Sequence, residues 1–566
     1  MKYILYILNI LIFFLPLRAA DEIFIEVEYQ PVFSQSVKSK LRNIEQNINP
    51  QNINIIKFNQ YANMEKATIT LFPGEKFIVE RKFSENSKAY KYSLQDHRNG
   101  SAIFIKNGNR LRGILHTEEE NYEIFPLEKG YHAAIELPDD FMTIPSCMED
   151  LPVAPQKKHG DNKSHTINNE CFIRVMVAYT ENARSDRGGY QSIQEDIELA
   201  VELTNDSYDN SNVNQRIKLV RTLEVSYTES SSAVTDLQRL TDDNDGYIDN
   251  IHTVRDIYSA DLVVLIEDMN SYCGIAWVNA SDADYAFSIV SSYSTCMTYY
   301  YSFAHEMGHN MGCRHNPEED DNDTPYPYGH GYCYTVDNWR TIMSYNNGCL
   351  NRLRYWSNPD IYYNSDPMGT SDEEDNARVL DNTESRSMNY LTTPTNYSIG
   401  NDELDGYEYG DILVRENAET GTSFVAESNS TVTIRAGSSI KLKPGFHAMH
   451  GASFSSYIET DCPAQPAEPP LTFSEDENLS VKDNMLKNIP NPFTESTLIT
   501  FYLEKPGRIS LVLSNSIGEK KYIIRDRYFV AGKHSVDFYR EDLGSGIYFY
   551  MIKTDNKLIT NKMIIY

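Results

Sequence analysis

Apolar and polar positions follow two alternating periods in the middle of the chain. Residues 172–179 form a nearly continuous apolar run, the pattern of a buried strand. Residues 192–210 instead space Ile193, Ile197, Val201 and Leu203 along a helical face. Residues 218–227 predict a second strand and 249–258 a second helix, opened by acidic residues. Residues 261–267 (DLVVLIE) predict a third strand, and 286–291 (AFSIVS) a fourth near a sheet edge. Strand and helix in alternation predict a mixed α/β layer architecture.

The flanks read differently. Residues 21–160 carry alternating strand patterns, as at 67–71, 76–80 and 101–106, with no cluster of candidate ligands or nucleophiles. A polar segment, 152–164, follows with Lys157 and Lys158, where nicking is expected. Residues 398–461 form another β-rich unit, and 462–470 (CPAQPAEPP) a stiff, extended linker. From Asn484 onward, alternating strands are separated by turns at Pro506-Gly507, Gly518, Gly532, Gly544 and Gly546, which predicts an all-β sandwich. At the start, Met1 and Lys2 precede an apolar run to Leu17, and Ala19 and Ala20 follow it. This predicts a secretory signal peptide over 1–20, and no later segment predicts a transmembrane span in the mature form.

Composition narrows the function. The chain has 566 residues, about three to five domains' worth at roughly 100–200 residues each. With 81 acidic against 51 basic residues, a formal charge of −30 favours solubility and argues against nucleic acid as a partner. An exported chain exposes its eight cysteines (147, 171, 273, 296, 313, 333, 349 and 462) to an oxidising environment. Six lie between 171 and 349 and suit three bridges, whose pairing the spacing leaves open.

The candidate chemistry begins at His305, in HEMGHNMGCRH. His305 and His309 stand four apart, so a helix presents both imidazoles on one face to one metal. Glu306, about 100° round the helix, is placed to act on water without being a ligand. Gly312 can end the helix in a left-handed conformation and bring in His315 as the third ligand. Three imidazoles leave a fourth position for water, the layout of a catalytic zinc site. The acidic run Asp242 to Asp249 does not match a calcium loop, since Gly246 would put Thr241 and His252 at the first and last ligand positions. It predicts a capped turn before a helix, so calcium has no support.

The long histidine motif resembles the metzincin clan of zinc peptidases. Within it, the chain resembles reprolysins and the bacterial peptidyl-Asp metallopeptidases over about 170–391. Supporting stretches are Cys273-Gly274-Ile275-Ala276, Pro327-Tyr328-Gly329-His330-Gly331 and Tyr355-Trp356-Ser357-Asn358-Pro359. The resemblance implies a mixed twisted sheet with an active-site helix, one catalytic Zn2+ and a methionine turn at Met343 packing beneath the metal. Tyr345 departs from typical reprolysins and matches a tyrosine that astacins and serralysins bring to the zinc, which makes it a candidate catalytic residue beside Glu306, with a packed turn residue as the equal alternative. Residues 111–137 resemble a reprolysin prodomain, which implies a propeptide over 21–160. Its single cysteine, Cys147, is a candidate cysteine switch, with a bridge to Cys171 or Cys462 as the alternative. His330 reads as structural. Strand 286–291 is a candidate partner for an extended substrate. Arg352 and Arg354, in the wall after Tyr345, are candidates for favouring an acidic side chain, unless both serve surface ion pairs.

Residues 484–566 resemble a type IX secretion sorting domain, through Pro490-Asn491-Pro492-Phe493, Gly518, Gly532-Lys533-His534 and Gly546-Ile547-Tyr548. That implies the type IX machinery as a partner and release through, or attachment at, the outer membrane of a Gram-negative cell. Residues 398–461 resemble the stacked-strand modules that precede such domains. The expected organisation is signal peptide 1–20, propeptide 21–160, catalytic domain 165–395, β-rich module 398–461, linker 462–483 and sorting domain 484–566. The expected function is a secreted zinc metalloendopeptidase acting on extracellular proteins or peptides. The competing reading is an adhesin carrying an inert protease domain.

Overall fold

The computed structural model describes residues 22–137, 147, 152–154, 172–458 and 486–565, apart from short gaps inside those ranges. The predicted signal peptide, residues 155–164, the linker 462–483, Cys171 and Cys462 lie outside the described residues. The chain divides into two units, Met1–Cys462 and Pro463–Tyr566.

The N-terminal part of the first unit is a nine-stranded antiparallel sheet. Its two ends meet, Ile23 N donating to Thr68 O at 2.9 Å. Strand Glu75–Lys82 buries Phe77 and Val79 and exposes Ile78, as a half-buried strand should. The central strands Gly100–Asn107, Arg110–Thr117 and Asn121–Pro126 are buried on both faces. Their outer face lies under helix Tyr190–Asn210 of the following domain. Charged groups are buried there only because they are paired. Arg112 meets Glu123 at 3.1 Å and also Asp196, Arg187 meets Asp196 at 2.7 Å, and Arg110 forks onto Glu195 at 2.7 Å. Burial alone would raise the Asp196 carboxyl, but Arg187 and Arg112 hold it at about 2.

The next domain is the predicted α/β layer. Strands Ile173–Thr180, Ile217–Val225, Leu262–Glu267 and Phe287–Ser291 run parallel and are almost wholly buried. Helices Tyr190–Asn210 and Ser302–Met311 share one core, while Ala233–Thr241 and Asn250–Tyr258 contribute to the core on the other face. The fourth strand is not the edge. Phe287–Ser291 pairs with Leu262–Glu267 on one side and antiparallel with Gly274–Ala276 on the other, so its backbone groups are spent within the sheet. Gly274–Ala276 is the edge strand of the domain.

At the far side, Arg221 pairs with Gly410 and carries the sheet into three stacked coils spanning 396–458. Successive coils are in parallel register, Tyr409 against Thr431 and Thr431 against Ser453. Arg221 is fully buried and neutralised by Glu408 at 2.8 Å.

Cys273–Cys296 and Cys333–Cys349 are bridged. Cys313 is a buried free thiol, which corrects the expectation of three bridges within the six. It is fully buried immediately past the end of the site helix. In the turn 242–249 the carboxylates accept from main-chain N–H groups of the turn itself, Asp242 from Asn244, Asp245 from Tyr247 and Asp249 from Gly246. The turn precedes a helix as expected, but Asp249 makes no side-chain cap.

The second unit is two antiparallel sheets, one of three and one of four strands, closing over Phe493, Phe501, Leu511 and Tyr550. This is the predicted sandwich. Gly518, Gly544, Pro490 and Pro506 lie outside the described residues.

Candidate active site

The site is built on helix Ser302–Met311, which ends at Gly312 with a φ of 107°. That left-handed conformation lets the chain leave the helix toward His315. His305, Glu306, His309 and His315 are all buried. His305 Nδ1 donates to Ile342 O and His309 Nδ1 to Cys313 O, each at 2.9 Å, so both rings present an unprotonated Nε2. The His315 main chain is held by His330, whose Nδ1 donates to its carbonyl at 2.7 Å. His330 thus has the structural place expected of it.

The three Nε2 atoms converge to 3.1, 3.0 and 3.3 Å from one another. Lone pairs facing each other at that distance repel unless a cation lies between them. Tetrahedral zinc, with N–Zn bonds of about 2.0–2.1 Å, places its nitrogens about 3.3–3.4 Å apart. The donor set therefore fits a metal. Burial, together with the neighbouring positive charges, pushes His305 and His315 well below the ordinary imidazole value, which keeps them neutral.

Met343 is fully buried beneath the helix. A Cβ on Gly308 would lie 2.7 Å from the Trp356 ring and 2.9 Å from Met343 Sδ. Gly308, between the two histidines, is what lets the methionine turn approach. Gly274 of the edge strand is equally tight: a Cβ there would fall 2.3 Å from Glu306 Oε1. Asn310 ties the helix to the sheet by donating to Trp277 O at 2.9 Å and Phe287 O at 3.0 Å. None of these three roles was read from the sequence; the glycine inside the histidine motif and the asparagine after it were the available signals.

Glu306 has no salt-bridge partner among the described residues, and its Oε1 is buried without a hydrogen bond. Burial raises its carboxyl well above the ordinary value, against an opposing effect of Cys147 and Arg352. Cys147 is brought in from the N-terminal part. Its Sγ donates toward Glu306 Oε2 at 3.4 Å and lies 3.8 Å from His309 Nε2. The sulfur and the three imidazole nitrogens all fall within 4.8 Å of one another. Further along the same segment, Val153 bridges to Val278, with Ala154 N and Val278 N donating across at 3.1 and 2.9 Å. Tyr345 stacks on His315 with ring centroids 4.3 Å apart, and its hydroxyl donates to Cys147 O at 2.7 Å.

The two arginines of the wall part company. Arg354 faces Asp206 at 2.8 Å, an ion pair as in its alternative reading but a buried one, not on the surface. Arg352 bonds only main-chain carbonyls, Tyr300 O at 2.8 Å and Ser344 O at 3.0 Å.

Comparison with known families matches residues 169–357 to metallo-peptidase family M12 and residues 488–566 to a secretion system C-terminal sorting domain. A peptidyl-Asp metalloendopeptidase of Xanthomonas campestris is 40% identical over 289 residues, 50% of this chain and 68% of that protein. One from Stenotrophomonas maltophilia is 40% identical over 301 residues, 51% of this chain and 70% of that protein. Among solved structures, metalloproteinase-II from Bacteroides fragilis overlays with a TM-score of 0.29 at 12% identity, over 51% of this chain and 88% of that one.

Proposed function

The chain belongs to metallopeptidase family M12 and is a metalloendopeptidase, and from that premise we propose that it is a zinc enzyme made as a latent proenzyme with a preference for acidic substrates. The convergence of His305, His309 and His315 with Glu306 in one buried cluster carries this reading. These three histidines would hold the zinc, and the ion, when bound, supplies a Lewis acid that polarises the scissile carbonyl and acidifies water. Glu306 takes a proton from the attacking water and delivers it to the leaving amine. Its buried carboxyl, raised in proton affinity, suits a group that must both accept and return a proton. Met343 supports the ligands by packing under the helix. Tyr345 donates to the oxygen on which charge develops. Strand Gly274–Ala276, not Phe287–Ser291, offers an unpaired edge on which an extended peptide can lie.

The N-terminal sheet is the propeptide in this reading. Its exit segment brings Cys147 beside the three histidines and runs Val153 beside Val278, past the end of the edge strand. With zinc held by the histidines, the Cys147 sulfur would serve as a further ligand in place of water and keep the enzyme latent. The predicted signal peptide and the C-terminal sorting domain would then export the chain through a type IX route. The name shared by the relatives, peptidyl-Asp metalloendopeptidase, supports the acidic preference.

The test is hydrolysis of casein by the full chain after limited proteolysis, beside Glu306→Gln, with metal content measured on both. One zinc per chain in both proteins, with chelator-sensitive activity reduced about 100-fold or more in the variant, is expected. Absence of zinc, or full activity in the variant, would refute it.

A further inference from the structure

We propose that Arg352, with Arg340 beside it, forms the pocket that takes the carboxylate side chain of a substrate next to the scissile bond. The inference rests on the acidic preference proposed above and names the residues responsible.

Arg340 and Arg352 are direct partners across the parallel strands Trp339–Arg340 and Asn351–Arg352. Both are buried, at 3% and 8% exposure. Each is anchored by main-chain carbonyls alone, Arg340 by Cys349 O and Leu350 O, Arg352 by Tyr300 O and Ser344 O. The Nε of each is buried with no hydrogen-bond partner among the described residues. Among the described residues no carboxylate lies within 4.0 Å of either guanidinium. Arg174, Arg187, Arg221 and Arg354, equally buried, each face one.

Two adjacent like charges withdrawn from water destabilise the fold unless an anion joins them. Burial first, and then the charge of Arg352, pushes Arg340 down to about 9. Proteins keep such unpaired charge where a ligand neutralises it.

The position indicates which ligand. Ser344, whose carbonyl holds Arg352, stands between Met343 and Tyr345, so the pocket adjoins the methionine turn. The charge of Arg352 reaches His305, Glu306 and His315. A peptide whose carbonyl sits at Tyr345 brings a neighbouring side chain to this wall. The Cys333–Cys349 bridge and the pairing of Cys333 with Arg340 hold the wall in place before substrate arrives. Two guanidinium groups recognise a carboxylate through charge-assisted hydrogen bonds that an amide of the same shape does not replace.

The experiment uses the full chain, matured by limited proteolysis and zinc-loaded, on two peptides identical but for one Asp or Asn beside the cleaved bond. The wild type is expected to favour Asp in kcat/KM by about 100-fold. Arg352→Gln should bring that ratio below about fivefold, mainly by losing the Asp peptide, with Arg352→Lys between the two. Arg354→Gln should keep the wild-type ratio. A ratio within one preparation is insensitive to a misfolded fraction. An undiminished ratio in Arg352→Gln overturns the pocket and leaves the acidic preference standing. A wild-type ratio near one overturns the acidic preference and the pocket with it. Inorganic sulfate that inhibits cleavage of both peptides equally would assign the arginines to a free anion and also overturn the proposal.

Discussion

The hydroxyl of Tyr345 donates a 2.7 Å hydrogen bond to the carbonyl oxygen of Cys147, while its ring stacks on His315. In the proposed function, this main-chain carbonyl stands where a substrate carbonyl would face the three histidines, and the same hydroxyl would meet a developing oxyanion once the segment leaves. Tyr345→Phe is expected to lower kcat by roughly 100-fold, with KM and zinc content little changed. Steady-state kinetics on the matured chain decides this, since a purely packing role would leave kcat near the wild-type value.

In the proposed function, Cys147 connects latency to the groups it touches, Glu306 and His309. Cys147→Ser removes the sulfur beside His309 and Glu306 while keeping the carbonyl that Tyr345 holds. The uncleaved full chain carrying this change should hydrolyse a small peptide on the order of tenfold faster than the uncleaved wild type. Equal rates, with the intact propeptide verified by mass, would exclude the switch.

Gly274 lies against Glu306, the general base of the proposed mechanism. A methyl group at that position must displace the Glu306 carboxylate, because the two would be 2.3 Å apart. Gly274→Ala should therefore lose activity by about tenfold or more while retaining zinc, since none of the histidines is touched. Metal analysis and kcat measured together check it; joint loss of zinc and activity would indicate a wider collapse of the site.

Glu267, at the end of strand Leu262–Glu267, is buried with one carboxylate oxygen unpartnered. Burial first, then the charges of Asp236, Glu229 and Asp268, push its carboxyl from 4.5 to about 9. The folded state holds this proton more tightly than the unfolded chain does. Its contribution to stability is therefore present below about pH 4.5 and is lost as pH rises through 9. Glu267→Gln should flatten the pH dependence of thermal unfolding across that window and raise the melting temperature at about pH 8. Coincident profiles for the two proteins would show that the group does not titrate there.

Much of the local structure was legible. The strands and helices predicted within 172–267 appear within a few residues of where periodicity places them, because a 3.6 or 2-residue period reports which face is buried; the short helices Glu181–Asp186 and Ala233–Thr241 were not anticipated. The fourth strand was found near the edge as expected, one strand inside it, but it is not itself the edge that could pair with a substrate. A short, wholly apolar run looks the same whether it lies at an edge or one strand inside, and only the pairing of Gly274–Ala276 resolves it. The free Cys313 was missed for a similar reason, since counting cysteines does not show which is buried without a disulfide partner.

His305, Glu306, Gly312 and His315 announce their chemistry in the sequence because their geometry is local. Three residues on a helix, His305, Glu306 and His309, and one left-handed glycine before His315 set where three imidazoles and a carboxylate point. The other features of the site depend on contacts between distant parts of the chain. Cys147 lies 159 residues from Glu306, and its arrival depends on the docking of a nine-stranded sheet. Arg352 and Arg354 stand two residues apart and are indistinguishable by composition. Folding neutralises one against Asp206 and leaves the other beside Arg340. Charge pairing is a through-space relationship among groups the chain brings together last, so tertiary structure alone decides which arginine remains available to bind an anion.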